Sequence, residues 1–207
     1  MPGFKEIINL LEIRLKEPLP GLKAQLKMVT NPRPGNKVYH EVEDTCIKAG
    51  VLVLLYPWRK RLHLVLTRRT ARVDFHQAQI SFPGGRQEEG ESSEQTALRE
   101  AYEEVNVPPE SIQILGALTP LYIPPSNYCV YPIVATTTKR PDFKPSMHEV
   151  AEVIEVPLDH LLDPKNVRKE KWTIGRNEAL VPFYLFKEYK IWGATAMVLA
   201  ELVELVI

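Results

Sequence analysis

The sequence predicts an α/β fold in which a mixed β-sheet is covered by helices. Short apolar runs of strand length alternate along the chain with segments of helical periodicity, which favours a layered sheet over a barrel or a bundle. Several consecutive strand candidates are separated only by short turns, as in hairpins. The 207 residues, 44% of them hydrophobic, suit one domain with an extension.

The strand candidates are apolar or alternating runs bounded by turn residues. Residues 49–56 form a continuous apolar run and residues 62–67 alternate, with a hairpin turn predicted over 58–61 between them. Further strands are predicted over residues 112–121, 130–136, 150–156 and 181–186.

The helix candidates begin in the N-terminal segment, where apolar residues recur every three or four positions. This pattern predicts an amphipathic helix over residues 4–16, and a second helix is expected over 21–28. Further helices are predicted over residues 93–105, 158–162 and 193–205. A proline cluster over residues 18–34 separates the first segment from the rest. We therefore predict an N-terminal helical extension over residues 1–40 and a main domain over 41–207.

Composition excludes several classes of function. The 26 basic residues balance the 26 acidic residues, whereas a protein that coats nucleic acid or anionic lipid needs a basic excess. No apolar run approaches the roughly 18 residues that cross a bilayer. Cys46 and Cys129 match no zinc-finger spacing and are expected to be reduced thiols in partly buried strands. We therefore expect a cytoplasmic protein that binds neither nucleic acid nor membrane.

The segment over residues 82–107 carries the chemistry. Ser92 and Gln95 have the spacing of a capping box, so a helix is predicted to begin there, and Asn106 suits the left-handed conformation that ends one. Helical spacing places Leu98, Tyr102 and Val105 on one face, with Ala97 and Ala101 at its flank. The same spacing places three carboxylates on the opposite face, those of Glu100, Glu103 and Glu104.

Two interpretations of this acidic face are open. It could be a solvated surface with modest ion pairs, such as Arg99 with Glu103. Alternatively, it could bind a hard divalent cation such as Mg²⁺, which takes carboxylate, phosphate and water oxygens. The Gly84-Gly85 loop before the helix favours the second interpretation, because it lets backbone approach the same point.

These residues resemble the Nudix box, GX5EX7REUXEEXGU. The matching positions have the correct spacing and are Gly85, Glu91, Arg99, Glu100, Glu103, Glu104 and Val107. The chain departs from the box at Asn106, which replaces the last glycine, a change that the helix-ending role makes tolerable. The resemblance implies the Nudix fold, a mixed β-sheet sandwiched between helices (α/β/α).

The sequence upstream of the box is similar to the signature of the coenzyme A diphosphatase branch, roughly LLTxR(S/A)xxxRxxxGxxxFPGG. The matching positions are Leu66, Thr67, Arg69, Phe82, Pro83, Gly84 and Gly85. Four positions depart from it: Val65, Thr70, Asp74 and Ala78. The charge reversal at Asp74 weakens the coenzyme A assignment, although Arg72 stands two residues away.

The resemblance implies roles for the box residues. Glu100 and Glu104 would bind Mg²⁺ or Mn²⁺, with Glu103 a ligand of a second ion and the Gly85 carbonyl a further ligand. Glu91 and Arg99 would hold the loop and helix together. A later acidic residue would complete the catalytic set. Glu149 has the expected position for it, Glu152 is the neighbouring alternative, and a solvated charge is an equal alternative for either.

A substrate-binding set is expected at Arg68, Arg69, His76, Gln79 and Phe82, of which Arg69 and Phe82 match the upstream signature. Arginine suits phosphate because its fork can bind two oxygens at once. Adjacent strand residues point to opposite faces, so one arginine could be a surface charge, and Arg69 is favoured by the signature. His76 is as well explained by a structural role.

Three functions remain open at this point. The first is metal-dependent hydrolysis of coenzyme A or acyl-coenzyme A, giving 3′,5′-ADP and (acyl-)4′-phosphopantetheine. The second is the same chemistry on ADP-ribose, NADH or a dinucleoside polyphosphate. The third is a Nudix-fold protein that binds a nucleotide without cleaving it, against which the intact carboxylates argue. The apolar N-terminal helix would serve either a homodimer or its own core.

Overall fold

The computed structural model describes residues 3–35, 37–70, 79–175 and 177–207. The helices within these ranges are α1 (Phe4–Arg14), α2 (Gly21–Gln25), α3 (Ser93–Val105), α4 (Leu158–Leu162) and α5 (Gly193–Val206). The strands are β1 (Ile47–Trp58), β2 (Arg61–Arg69), β3 (Ile80–Ser81), β4 (Gly84–Arg86), β5 (Gln113–Ala117), β6 (Leu121–Ile123), β7 (Tyr128–Thr136), β8 (Val150–Pro157), β9 (Val167–Ile174), β10 (Asn177–Phe186) and β11 (Tyr189–Trp192).

The main sheet is mixed, as predicted. Its path runs β3-β2-β1-β7-β5, with β4 paired to β1, β6 to β7 and β8 to β2. The long β1–β7 pair is parallel, and the other pairs, among them β1–β2 and β2–β8, are antiparallel. A second sheet has the order β11-β10-β9. Strand β1 therefore lies at the centre of the domain and contacts the loop that precedes α3.

The main sheet separates two hydrophobic cores. On β2, Leu64 and Leu66 belong to a core shared with α1, α5 and the second sheet. Val65 points the other way, into a core shared with α3. This alternation is the period-two pattern of a strand buried on both faces. The sheet thus lies between helices, and the predicted α/β/α sandwich is confirmed.

A buried carboxylate fixes α2 to the domain. Glu201 on α5 accepts hydrogen bonds from Gly21 N (3.1 Å), Gln25 Nε2 (2.8 Å) and Thr119 Oγ1 (2.6 Å). Buried charge requires such hydrogen-bond partners. None of the helices described is long and apolar enough to span a membrane.

Several sequence-based boundaries need correction. The predicted helix over 21–28 is α2 followed by a 3₁₀ turn at Leu26–Met28. The predicted strand over 112–121 is divided into β5 and β6, which both pair with β7. The predicted 58–61 turn is confirmed, with Arg59 and Lys60 at φ 47° and 62°.

The expectation of reduced thiols is wrong, because Cys46 and Cys129 form a disulfide. The parallel register places Lys48 of β1 opposite Cys129 of β7. Cys46 precedes Lys48 by two residues and therefore falls on the same face. The two Cα atoms are 5.7 Å apart although 83 positions separate them in sequence. Strand register across such a separation could not be read from the sequence.

Candidate active site

The helix that carries the carboxylates, α3, begins and ends as predicted. Gln95 N donates to Ser92 Oγ (3.2 Å), and Ser92 N donates to Gln95 Oε1 (2.8 Å). These reciprocal bonds form a capping box. Asn106 takes the left-handed conformation, with φ 59°, and ends the helix.

Helix α3 lies against the backbone of β1. A Cβ atom added at Gly50 would be 2.3 Å from the carbonyl oxygen of Ser93 and 3.0 Å from the nitrogen of Ala97. This close approach admits only small side chains, so Ala97 and Ala101 occupy the buried stripe of the helix. The prediction that Tyr102 belongs to the centre of this face is wrong, since its side chain is 52% exposed.

Glu91 and Arg99 join the box loop to α3. Arg99 Nε and Nη2 donate to the two carboxylate oxygens of Glu91 at 2.7 and 3.1 Å. Glu91 also accepts from Thr96 Oγ1 (2.9 Å) and Glu88 N (3.0 Å). The hydrogen bond from Arg99 lowers the pKa of Glu91 to about 2. These contacts connect the loop before α3 to the helix itself, as expected of residues that hold the two together.

Two carboxylates of α3 are withdrawn from water beside the glycine loop. Glu104 is 3% exposed, and burial raises its pKa to about 7. It accepts a hydrogen bond from Gly84 N at 3.3 Å. Burial also raises the pKa of Glu100. A Cβ atom at Gly85 would be 2.5 Å from Cδ of Glu100, so only glycine fits beside that carboxylate as it stands.

Glu103 is placed differently from these two carboxylates. Its side chain is 53% exposed and accepts from Arg99 Nη1 at 3.1 Å. The same Arg99 nitrogen donates to Glu100 at 2.8 Å. Arg99 therefore contacts the carboxylates of both Glu100 and Glu103.

Of the two later acidic candidates, the structure brings Glu149 to the box. After burial, the negative charge of Glu149 is among the causes that raise the pKa of both Glu100 and Glu104. The Glu149 carbonyl accepts from Thr70 N at 3.0 Å, which fixes its backbone at the end of β2. Glu152 instead accepts from Arg68 Nε (3.1 Å) and Tyr189 Oη (2.5 Å), on the opposite face of the sheet.

Arg68 and Arg69 also lie on opposite faces of the sheet. Arg68 points toward the core shared with α5 and pairs with Glu152, with Nη2 at 3.0 Å from Oε2. Arg69 points toward α3, where its positive charge opposes the effect of burial on the pKa of Glu104. Its Nε atom is buried and has no hydrogen-bond partner among the residues that the structure describes. The structure therefore brings Arg69, and not Arg68, to the carboxylates.

The other predicted substrate residues lie in different surroundings. Gln79 is half-buried, and its carbonyl accepts from Arg69 N at 3.2 Å. Phe82 is 3% exposed within the core shared with α5, so the prediction that its side chain contacts substrate does not agree with its burial. His76 lies outside the described residues.

The carboxylate oxygens of this site are the type of ligand that a hard divalent cation prefers. Their present arrangement, however, is not that of a complete coordination shell. In the part of the chain that the structure describes, no three acidic, histidine or cysteine side chains converge as ligands of one ion. Arg99 draws Glu100 and Glu103 toward itself, and Gly84 holds Glu104. Gathered and partly desolvated carboxylates repel each other, and a divalent cation relieves that repulsion.

One wall of the site was missed by the sequence analysis. Residues 137–149 connect β7 to β8 and contact the C-terminal end of α3. Ser146 N donates to the carbonyl of Glu104 (2.9 Å), and Lys144 N donates to that of Val105 (3.1 Å). Only Glu149, at its end, was expected at the site; the rest of the segment has no periodicity that would have indicated its contact with α3.

Comparisons with known proteins agree with this architecture. The NUDIX domain model matches residues 47–176. The chain is similar to the uncharacterized Nudix hydrolase NudL of Pectobacterium atrosepticum, 39% identical over 142 residues covering 67% of this chain and 72% of that protein. NudL of Yersinia pestis is 34% identical over 178 residues, covering 84% and 87%.

Among solved structures, a MutT protein from Methanosarcina mazei is 17% identical and covers 76% of this chain and 92% of that one, with a TM-score of 0.49. The extent of the domain match and the NudL relatives decide the assignment. The chain belongs to the Nudix family and is a Nudix hydrolase of diphosphate bonds.

Proposed function

We propose that this Nudix hydrolase cleaves the diphosphate of coenzyme A or acyl-coenzyme A with the help of Mg²⁺ or Mn²⁺. Water would add across the P–O–P bond to give 3′,5′-ADP and (acyl-)4′-phosphopantetheine. The observation that carries the proposal is the placement of Arg69: its buried Nε has no hydrogen-bond partner within the described part of the chain, and its charge acts on Glu104. A buried, unpartnered guanidinium nitrogen beside carboxylates is suited to an anionic ligand such as a diphosphate.

The carboxylates of Glu100, Glu103 and Glu104, with the carbonyl oxygen of Gly85, are proposed to hold the cation. When bound, a divalent cation neutralises phosphate oxygens and orients the attacking water. Glu149 is proposed as the general base, because a carboxylate at the edge of the cluster can accept the proton that water releases. Its surroundings support this role, since its charge acts on both Glu100 and Glu104.

Coenzyme A is proposed as the substrate on the resemblance of residues 65–85 to the signature of that branch. Within that signature, Gly84 and Gly85 occupy positions where a side chain would collide. A Cβ at Gly84 would be 2.4 Å from the carbonyl oxygen of Gly50, and Gly84 has φ 158°. Part of the signature is thus explained by packing, and Arg69 is the matching residue whose placement supports a substrate role.

The test is a chromatographic product assay with Mg²⁺ or Mn²⁺, comparing coenzyme A with ADP-ribose, NADH and a dinucleoside polyphosphate. Release of 3′,5′-ADP from coenzyme A with little turnover of the others is the expected result. Preferential turnover of another substrate would overturn the coenzyme A assignment and leave the diphosphatase chemistry in place.

Variants of α3 test the metal assignment in the same assay. Glu103→Gln and Glu104→Gln should each lower kcat by orders of magnitude, because each removes a proposed ligand charge. Glu94→Gln is the matched control, since Glu94 is an exposed residue of the first turn of the same helix. Near-normal turnover of the Glu103 and Glu104 variants would contradict the metal site.

A further inference from the structure

The segment that carries Glu149 to the site is anchored at both ends. We call residues 137–149 the strap, which leaves β7 at Thr137 and enters β8 after Glu149. At its far end, Thr70 N donates to the carbonyl of Glu149 and Thr70 Oγ1 to that of His148, both at 3.0 Å. Ser146 accepts from Glu149 N (3.0 Å) and from Val150 N (2.8 Å), closing a turn. These bonds hold the last residues of the strap, with Glu149, against the end of β2.

The near end is held by a bidentate ion pair. Arg140 Nε and Nη2 donate to the two carboxylate oxygens of Glu155 at 2.7 and 2.8 Å. Tyr56 Oη donates to the same carboxylate at 2.9 Å. Bidentate arginine–carboxylate pairs fix orientation as well as distance. Glu155 lies on β8, opposite Val65 of β2, so the pair ties the strap to the rigid sheet.

Aromatic rings fix the guanidinium on its other sides. Arg140 Cζ lies 5.0 Å from the ring centroid of Trp58 and 5.3 Å from that of Phe143, distances suited to cation–π contact. Phe143, itself a strap residue, packs edge-to-face on Tyr56 at 5.4 Å. Arg140 is thus held by three partners, none of which belongs to the Nudix box.

We propose that Arg140 and Glu155 are positioning residues that set the place of Glu149 through the strap. Neither is proposed to touch the substrate. Between the ion pair and Glu149, the strap makes backbone hydrogen bonds to the last turn of α3 at Glu104 and Val105. Release of the Arg140 end would let the strap shift relative to α3, and a misplacement of a catalytic group by about 1 Å can cost on the order of 100-fold in rate.

This inference rests on the proposed role of Glu149, so the experiment measures both. The variants are Arg140→Ala, Arg140→Lys, Glu149→Gln and the double variant Arg140→Ala/Glu149→Gln. Each is assayed for kcat and KM on whichever diphosphate substrate the wild-type chain cleaves best. Arg59→Ala is the matched control, because Arg59 stacks on the same Trp58 at 4.3 Å but lies on the β1–β2 turn.

We expect Arg140→Ala to lower kcat on the order of 10-fold or more with little change in KM. Arg140→Lys should recover little of this loss, since lysine keeps the charge but not the bidentate geometry. Arg59→Ala should keep wild-type kcat. The double variant should be no slower than Glu149→Gln alone, because residues that act through one group are non-additive.

The outcomes separate the two proposals. If Glu149→Gln lowers kcat while Arg140→Ala and Arg140→Lys do not, the positioning role is wrong and the proposed function stands. If the Arg140 and Glu149 effects multiply independently, Arg140 does not act through Glu149. If Glu149→Gln is as active as wild type, the assigned role of Glu149 fails and this inference fails with it. Should Arg140→Ala fail to fold, Arg140→Lys and Glu155→Gln give the same comparison.

Discussion

The carboxylate of Glu104 accepts a hydrogen bond from the backbone N–H of Gly84 over 3.3 Å, across the contact between α3 and the glycine loop. One backbone donor replaces little of the water that a carboxylate loses when it is 3% exposed. Burial accordingly raises the pKa of Glu104 to about 7. The site therefore retains a carboxyl group that titrates near neutral pH.

This pKa makes the stability of the metal-free protein depend on pH. Between about pH 4.5 and pH 7 the unfolded chain loses the Glu104 proton before the folded chain does, so this group lowers stability as pH rises. Glu104→Gln should remove a penalty on the order of 3 kcal/mol at pH 8 and change little at pH 4.5. Urea unfolding in chelator measures this, and equal stability of the variant and wild type at pH 8 would refute it.

Divalent metal should stabilise the folded chain more at pH 8 than at pH 5. Cation and proton compete for the same carboxylates, so the affinity falls as Glu104 becomes protonated. Thermal unfolding with and without Mg²⁺ at both pH values measures the shift in Tm. Glu104→Gln should show a smaller shift at pH 8 than Glu94→Gln. A shift that is equal at both pH values would show that the ion binds elsewhere.

Arg69→Ala and Arg68→Ala form a matched pair on the two faces of β2. Arg69→Ala should raise KM more than it lowers kcat, because the residue is proposed to bind substrate phosphate. Arg68→Ala should leave KM near the wild-type value, since Arg68 is engaged with Glu152 on the other face. Steady-state kinetics decides the matter, and an unchanged KM for Arg69→Ala would remove that residue from the substrate site.

Two glycine substitutions should separate activity from stability. Gly85→Ala places a Cβ against the movable carboxylate of Glu100, so kcat should fall while stability changes little. Gly50→Ala places a Cβ against the backbone of α3 and should cost about 1–3 kcal/mol of stability. Kinetics and urea unfolding of both variants test this, and the reverse pattern would contradict the packing described.

The disulfide should stabilise the chain by closing a long loop. Cys46 and Cys129 are 83 positions apart, so Cys46→Ser should cost about 2–4 kcal/mol. Adding dithiothreitol to the wild type should cause a similar loss and should leave Cys46→Ser unaffected. A variant as stable as wild type, or one still sensitive to reductant, would contradict this contribution.

Local signals in the sequence predicted the box helix well. The capping interactions of Ser92, Gln95 and Asn106 involve only residues nearby in sequence. They therefore locate the start and end of α3 without knowledge of the rest of the fold. The inward face of the same helix was misjudged at Tyr102, which is exposed, whereas Leu98 and Val105 do pack against the core. Small residues face inward because α3 lies very close to β1 at Gly50. This distance depends on how the two elements pack, which the sequence of the helix alone does not show.

Features that depend on register or on irregular backbone could not be predicted. The Cys46–Cys129 pair follows from the alignment of β1 with β7, and the contact of the strap with α3 follows from hydrogen bonds of a segment without periodicity. Alternation along β2 did predict that Arg68 and Arg69 face opposite ways, which is what the structure has. The expectations of a cytoplasmic location and of a homodimer stay predictions.

The strap and α3 give the two halves of the site different freedom to change during evolution. Glu100 and Glu104 sit on a helix pressed against a strand, where insertions and larger side chains are excluded at Gly50. Glu149 sits on the strap, where exposed side chains such as that of Met147 can change without disturbing the backbone anchors. A lineage with this architecture can therefore reshape one wall around a new substrate while its carboxylate helix stays unchanged.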